Sequence, residues 1–123
     1  MGKTLGKIVL ATVVGFLALN LFFGGKGDKN ADIPTLVKKG ALIVDTRTAG
    51  EFNNGHVKGA INIPYDIIGD SIDQHETDPS KPIIVYCRSG NRSSHAKRSL
   101  IAIGYTNVID AGSIGNMQRN MPQ

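Results

Sequence analysis

Two runs of apolar residues, Ala41-Leu42-Ile43-Val44 and Ile83-Ile84-Val85-Tyr86, decide what this chain can fold into. Neither alternates apolar with polar residues, as a strand with one wet face would, so both read as central strands covered on both sides. Helical segments fall between the runs. Thr48-Ala49-Gly50-Glu51 has the spacing of a capping box and opens a short helix that Gly55 can close. Ser93 to Ile103 is the best helix, with Ala96, Leu100 and Ile103 as its buried stripe and Gly104 placed to end it. Ala60-Ile61-Asn62-Ile63 and Asn107-Val108-Ile109 read as further short strands. Strand and helix in alternation imply an α/β fold, a parallel sheet of about five strands with right-handed crossovers and helices on both faces. Ligands bind such sheets beyond the carboxyl ends of the strands. Asp45, Arg47 and Cys87 all follow strand ends, so they are expected to gather on one rim.

The 123 residues leave room for one domain of ordinary size. Residues 1–25 are expected to form a hydrophobic helix ahead of it, because Ile8 to Phe23 is apolar apart from Thr12, Gly15 and Asn20. No polar face appears over that run, so it reads as a membrane segment and not as a buried helix of the domain. It is either a retained single-span anchor or a cleaved export signal. Phe16, Phe22 and Phe23 spoil the small-residue cleavage pattern, which favours the anchor. Lys3 and Lys7 argue for a cytoplasmic amino terminus and an extracytoplasmic, periplasmic domain, against Lys26, Lys29, Lys38 and Lys39 on the far side. Cleavage would instead leave a soluble periplasmic protein. Residues 26–31 read as a polar, Gly-rich tether and 32–123 as the domain.

The net charge of +4 is unevenly placed. From Asp32 onward ten basic residues face nine acidic ones, so the body is near neutral and offers no nucleic-acid surface. Arg88, Arg92, Lys97 and Arg98 nevertheless cluster in one stretch, which marks a site for a small anion. One cysteine excludes a disulfide framework and any multi-cysteine metal site. His56, His75 and His95 lack paired ligand spacing, so no metal or cofactor is expected. His56 reads as a turn-ordering residue and Glu51 as a helix-cap partner.

That one cysteine, Cys87, stands where the second apolar strand ends and Arg88-Ser89-Gly90-Asn91-Arg92-Ser93 begins. A helix N-terminus with free N–H groups and two nearby guanidiniums favours an anionic sulfur. The arginine falls at Arg92, one position earlier than in the Cys-x5-Arg loop of cysteine phosphatases. A tighter ring of N–H groups suits an anion one atom beyond the sulfur, as in a persulfide. The loop holds no histidine to act as a base, and no second cysteine exists to resolve an oxidised Cys87 within the chain. Sulfur transfer, in which a thiolate attacks a sulfane sulfur and no proton need move, fits these constraints.

Val44-Asp45-Thr46-Arg47, Glu51-Phe52, Gly55-His56-Val57-Lys58-Gly59-Ala60-Ile61-Asn62-Ile63-Pro64, Tyr86 to Ser93 and Gly104-Tyr105-Thr106-Asn107-Val108 occur in an order that resembles the rhodanese family of sulfurtransferases. The resemblance runs from about Pro34 to Met117 and implies a single rhodanese-like domain with a persulfide intermediate on Cys87. It implies thiosulfate or a persulfide as donor and an external thiol or cyanide as acceptor. On this reading Arg92 steers the donor's sulfonate with Arg88 assisting. Ser89, Gly90, Asn91 and Ser93 complete the binding loop, and Asp45 and Arg47 brace it. The sequence departs from the family at Ala111-Gly112-Ser113-Ile114, where paired glycines are usual, and at Met117, where many members carry tryptophan. Both positions are expected on a wall near the loop, bearing on the choice of acceptor. The rival readings are a cysteine phosphatase or arsenate reductase, disfavoured by the shorter loop, and a non-catalytic module that binds a partner or carries sulfur.

Overall fold

The computed structural model describes residues 27–123, and a wholly parallel sheet organises them. Its strands are β1 (Leu42–Asp45), β2 (Ile61–Asn62), β3 (Ile83–Cys87) and β4 (Val108–Ser113), in the spatial order β2-β1-β3-β4. The helices are α1 (Ile33–Lys38), α2 (Ala49–Asn53), α3 (Ile68–Ser71), α4 (Asn91–Ala102) and α5 (Ile114–Arg119), with a 3-10 turn at Ile72–Gln74 continuing α3. The expected hydrophobic helix over 1–25 lies outside the described residues. Among those described, no helix is long and apolar enough to cross a membrane.

Both faces of the sheet are covered, which explains the missing alternation in β1 and β3. Val44, Ile83 and Val85 belong to one core cluster with Ile68 and Ile72, and with Ala96 and Leu100 of α4. Ile43, Ile84, Tyr86 and Ile109 belong to the other, with Ile33 of α1 and Met117 of α5. The Thr48 capping box forms as its spacing predicts, and Asn54 and Gly55 follow the last turn of α2. α4 starts at Asn91 instead of Ser93, because Gly90 at φ 112 takes the cap position. Ile103 departs from its expected place: it follows the last turn and is 53% exposed, so the buried stripe of α4 is Ser93, Ala96 and Leu100.

Four strands are present among the described residues, one short of the expected number. On the outer edge of β4 lies the short strap Gly27-Asp28, from the stretch read as a tether. The Asp28 N–H donates to the Asp110 carbonyl at 2.6 Å, but the Asp110 N–H donates to the Asp28 carboxylate at 2.8 Å. A side chain in place of a backbone carbonyl ends the ladder after one rung. The same carboxylate accepts from Lys97 of α4 at 2.6 Å, tying the strap to the helix.

Gly27 is required at its position. Its φ is +79, and a Cβ there would stand 3.0 Å from the Asp110 carbonyl oxygen and 3.1 Å from the Gly112 nitrogen. Gly27→Ala is therefore expected to lift the strap and lower stability by about 1–2 kcal/mol. Urea unfolding of the full chain reads this as a lower midpoint at constant slope. An unchanged midpoint would mean that the strap contributes nothing.

Candidate active site

β3 carries Cys87 as its last residue, in register with Ser113 at the end of β4. Arg88 and Ser89 form an exposed bend, and the chain then turns back at Gly90. The left-handed backbone of Gly90, open to glycine without steric cost, aims its N–H at the sulfur, 2.9 Å from Cys87 Sγ. Ser93, buried in the first turn of α4, holds its hydroxyl 3.5 Å from the same sulfur. Its Oγ also lies 3.1 Å from the Gly90 carbonyl and 3.4 Å from the Gly112 carbonyl. The sulfur is thus recessed, 1% exposed, at the positive end of a 12-residue helix. A donated N–H and a helix N-terminus suit a sulfur anion.

Arg92 points to an unexpected partner. Its guanidinium forms a forked ion pair with Glu51, at 2.6 and 3.0 Å. That contact holds the Glu51 carboxyl down to about 2, while the carboxylate raises Arg92 above its ordinary value. Glu51 keeps its capping role as well, since one carboxylate oxygen accepts from the Thr48 N–H and hydroxyl. The ion pair straps α2 to the cysteine loop. Sequence reading missed it because the capping box already accounted for Glu51 and the partners are 41 residues apart. The usable signal was topological: Glu51 follows β1, Arg92 follows β3, and the two strands are neighbours. Arg88, by contrast, is exposed at the outer edge of the loop and joins none of the ion pairs among the described residues. Asn91 is also exposed.

Asp45 and Arg47 brace the rim from below. Asp45 is fully buried and accepts from the Arg47 backbone N–H at 2.9 Å. The Arg47 guanidinium reaches it through Nε at 3.0 Å and Nη2 at 2.7 Å, and the Tyr86 hydroxyl donates to it at 2.8 Å. Arg47 then passes a 2.6 Å bond to the Gly55 carbonyl, and the Tyr86 hydroxyl accepts from the Val57 N–H at 3.0 Å. The Asp45 carboxylate raises the Arg47 guanidinium, and burial raises the Tyr86 phenol, so both stay protonated. His56 stacks on Phe52 at 3.6 Å, with Nδ1 2.9 Å from the Phe52 carbonyl oxygen, ordering the turn after α2. His75 and His95 are exposed, the latter edge-on to Tyr65.

Met117 is not on a wall of the loop. It is 0% exposed in the core beneath α5, because the α5 turn brings its apolar side chain onto the sheet. Ala111 and Gly112 are likewise buried, and only Ser113 and Ile114 of that segment are partly open. Ser113 serves as the cap of α5, accepting from the Asn116 N–H at 3.1 Å.

Residues 30–112 match the family model described as a rhodanese-like domain. The chain is 37% identical over 71 residues to the thiosulfate sulfurtransferase PspE of Escherichia coli, covering 58% of this chain and 68% of that protein. It is 36% identical over 88 residues to the adenylyltransferase and sulfurtransferase UBA4 of Candida albicans, across 67% of this chain but only 20% of that longer protein. Among solved structures, a rhodanese with anions from E. coli superposes with a TM-score of 0.60 at 34% identity. That match covers 62% of this chain and 89% of the other.

Proposed function

The chain belongs to the rhodanese-like domain family, and from that premise we propose that it moves a sulfane sulfur through a persulfide on Cys87. It is a thiosulfate sulfurtransferase-like transferase. The observation that carries the persulfide reading is the sulfur site itself: Cys87 Sγ faces the Gly90 N–H at 2.9 Å, at the start of α4. In the first half-reaction the Cys87 thiolate attacks the outer sulfur of thiosulfate. A Cys–S–S bond forms, the donor's S–S bond breaks, and sulfite leaves with the electron pair. In the second, an external thiolate or cyanide attacks the outer sulfur and Cys87 leaves as thiolate. The loop N–H groups from Arg88 to Ser93 hold the terminal sulfur between the two steps. The acceptor is intermolecular, because the chain has no second cysteine.

Intact mass tests the reading. Incubation with thiosulfate is expected to add one sulfur atom, removable by cyanide. No gain from any sulfane donor, with hydrolysis of a phosphate ester instead, would sink it.

Arg88 and Arg92 divide the work of attracting the donor. Arg92 supplies charge from its fixed place beside Glu51, and exposed Arg88 meets the sulfonate at the mouth. Arg88→Ala is expected to raise KM for thiosulfate about fivefold with kcat nearly unchanged, the loss of one charged contact. An uncharged sulfane donor should show no such change. An equal rise for both donors would remove Arg88 from sulfonate binding.

The apolar run at 8–23, with Lys3 and Lys7 before it, supports an anchored domain on the extracytoplasmic side. Amino-terminal sequencing of the membrane fraction distinguishes this from a cleaved signal.

A further inference from the structure

Arg119 ends α5, and a cation in the last turn of a helix is normally held by the carbonyl end beside it. Its guanidinium instead lies back along the helix, over the first turn. Nη1 stands 3.3 Å from the point that a Cβ on Gly115 would occupy, and the Ser113 hydroxyl oxygen stands 3.9 Å from that same point. The missing side chain of Gly115 leaves the space between them open. Both groups carry unused donors. Arg119 is exposed and joins none of the ion pairs among the described residues, whereas Arg47 is paired with Asp45 and Arg92 with Glu51. Ser113 Oγ accepts the Asn116 N–H, and its own proton goes to no acceptor among the described residues. Ser113 is also the register partner of Cys87, so these donors stand on the rim at the end of the strand beside the sulfur.

We propose that Ser113 and Arg119, facing each other over Gly115, form a cradle for the carboxylate of the sulfur acceptor, a small thiol with its acid group on a short chain. Thiosulfate holds its oxygens on the atom next to the transferred sulfur, so its anion falls on the loop beside Cys87 and Arg88. The cradle is offset from Cys87 by a strand spacing of about 4.8 Å and by the further step to Gly115. That offset suits a ligand whose charge lies several bonds from its sulfur. With the carboxylate held by the guanidinium and the hydroxyl, the acceptor thiolate attacks the outer sulfur of the Cys87 persulfide. A new S–S bond forms on the acceptor, the bond from Cys87 to that sulfur breaks, and Cys87 leaves as thiolate with the electron pair. No oxidant or reductant enters. Arg88 serves the donor and Arg119 the acceptor, from opposite sides of the recessed sulfur.

The proposal rests on the persulfide reading, and its test begins with a measurement that does not need a persulfide. Cys87 is the single cysteine, so methanethiosulfonates of different charge report approach to it alone. Arg119→Gln is expected to slow labelling by the sulfonatoethyl reagent about threefold, the worth of one exposed charged contact, and to leave the methyl reagent unchanged. Arg119→Glu should go further and favour the aminoethyl reagent over the sulfonatoethyl one. Gly115→Leu keeps the charge but fills the space beneath it, and should slow the anionic reagent as Arg119→Gln does. If Gly115→Leu does not fold, the two changes at exposed Arg119 carry the test. With sulfur loaded from thiosulfate, Arg119→Gln should slow discharge to mercaptopropionate by the same factor while discharge to mercaptoethanol keeps its rate. Equal changes for anionic and neutral partners, or no change in either series, would overturn the cradle. If labelling follows charge as stated but no donor loads sulfur, the cradle stands as an anion site and the sulfurtransferase reading falls.

Discussion

Cys87→Ala is expected to take up no sulfur from thiosulfate, and turnover should fall by at least about a thousandfold, since no other group can form the covalent intermediate. Among the described residues Cys87 is the only free thiol, so no second sulfur can substitute for it. Alanine also deprives the Gly90 N–H of its acceptor, so the loop itself would relax. Cys87→Ser separates the two effects. Its hydroxyl can still accept from the Gly90 N–H, but it stays un-ionised near neutrality and attacks a sulfane sulfur poorly. Serine is therefore expected to keep the unfolding midpoint near the wild-type value and to lose the mass gain and the cyanide reaction entirely. Residual sulfur transfer in either variant, measured as thiocyanate formed from thiosulfate and cyanide, would show that Cys87 is not the carrier.

The fold was legible wherever burial on both faces left a plain apolar run. β1 and β3 are such runs, and the cysteine at the end of β3 places the site on the rim. β4 runs to Ser113, beyond the strand expected at Asn107-Val108-Ile109, which stops short because Asp110, Gly112 and Ser113 do not look like strand residues. Asp110 is tolerated there through hydrogen bonds that only the folded partners supply. The strap at Gly27-Asp28 reads as linker by composition, and its attachment depends on a positive φ and a backbone edge that sequence does not display. At the site itself, Cys87 and Gly90 are readable as a local loop, whereas the sequence ties Arg92 to the sulfur and the donor and shows nothing of Glu51. Its pairing with Glu51 joins two loops that follow different strands, and no local pattern carries such a contact. Met117 differs from expectation for a similar reason: its family position implies a wall of the loop, and the turn into α5 carries the side chain into the core.

Asp45→Ala is expected to cost about 3–5 kcal/mol, because it strands a buried guanidinium without its counter-ion. Asp45 is 0% exposed and serves the Arg47 backbone, the Arg47 guanidinium and the Tyr86 hydroxyl together. A domain of ordinary stability has about 5–15 kcal/mol to lose, so this one change brings the chain near its unfolding threshold. The loss should reach the reaction by a traceable route. Arg47 holds the Gly55 carbonyl at the end of α2, α2 presents Glu51, and Glu51 fixes Arg92 of the cysteine loop. Asp45→Asn retains the shape and one acceptor, so it should fall between wild type and alanine in both stability and transfer rate. The decisive comparison is Asp45→Ala with Arg47→Met, which removes the orphaned charge and fills its space. Unfolding measurements should find the double variant more stable than Asp45→Ala alone. A double variant weaker than the single one would mean that Arg47 stabilises the rim without Asp45, and that the cost lies in the lost Tyr86 and backbone hydrogen bonds.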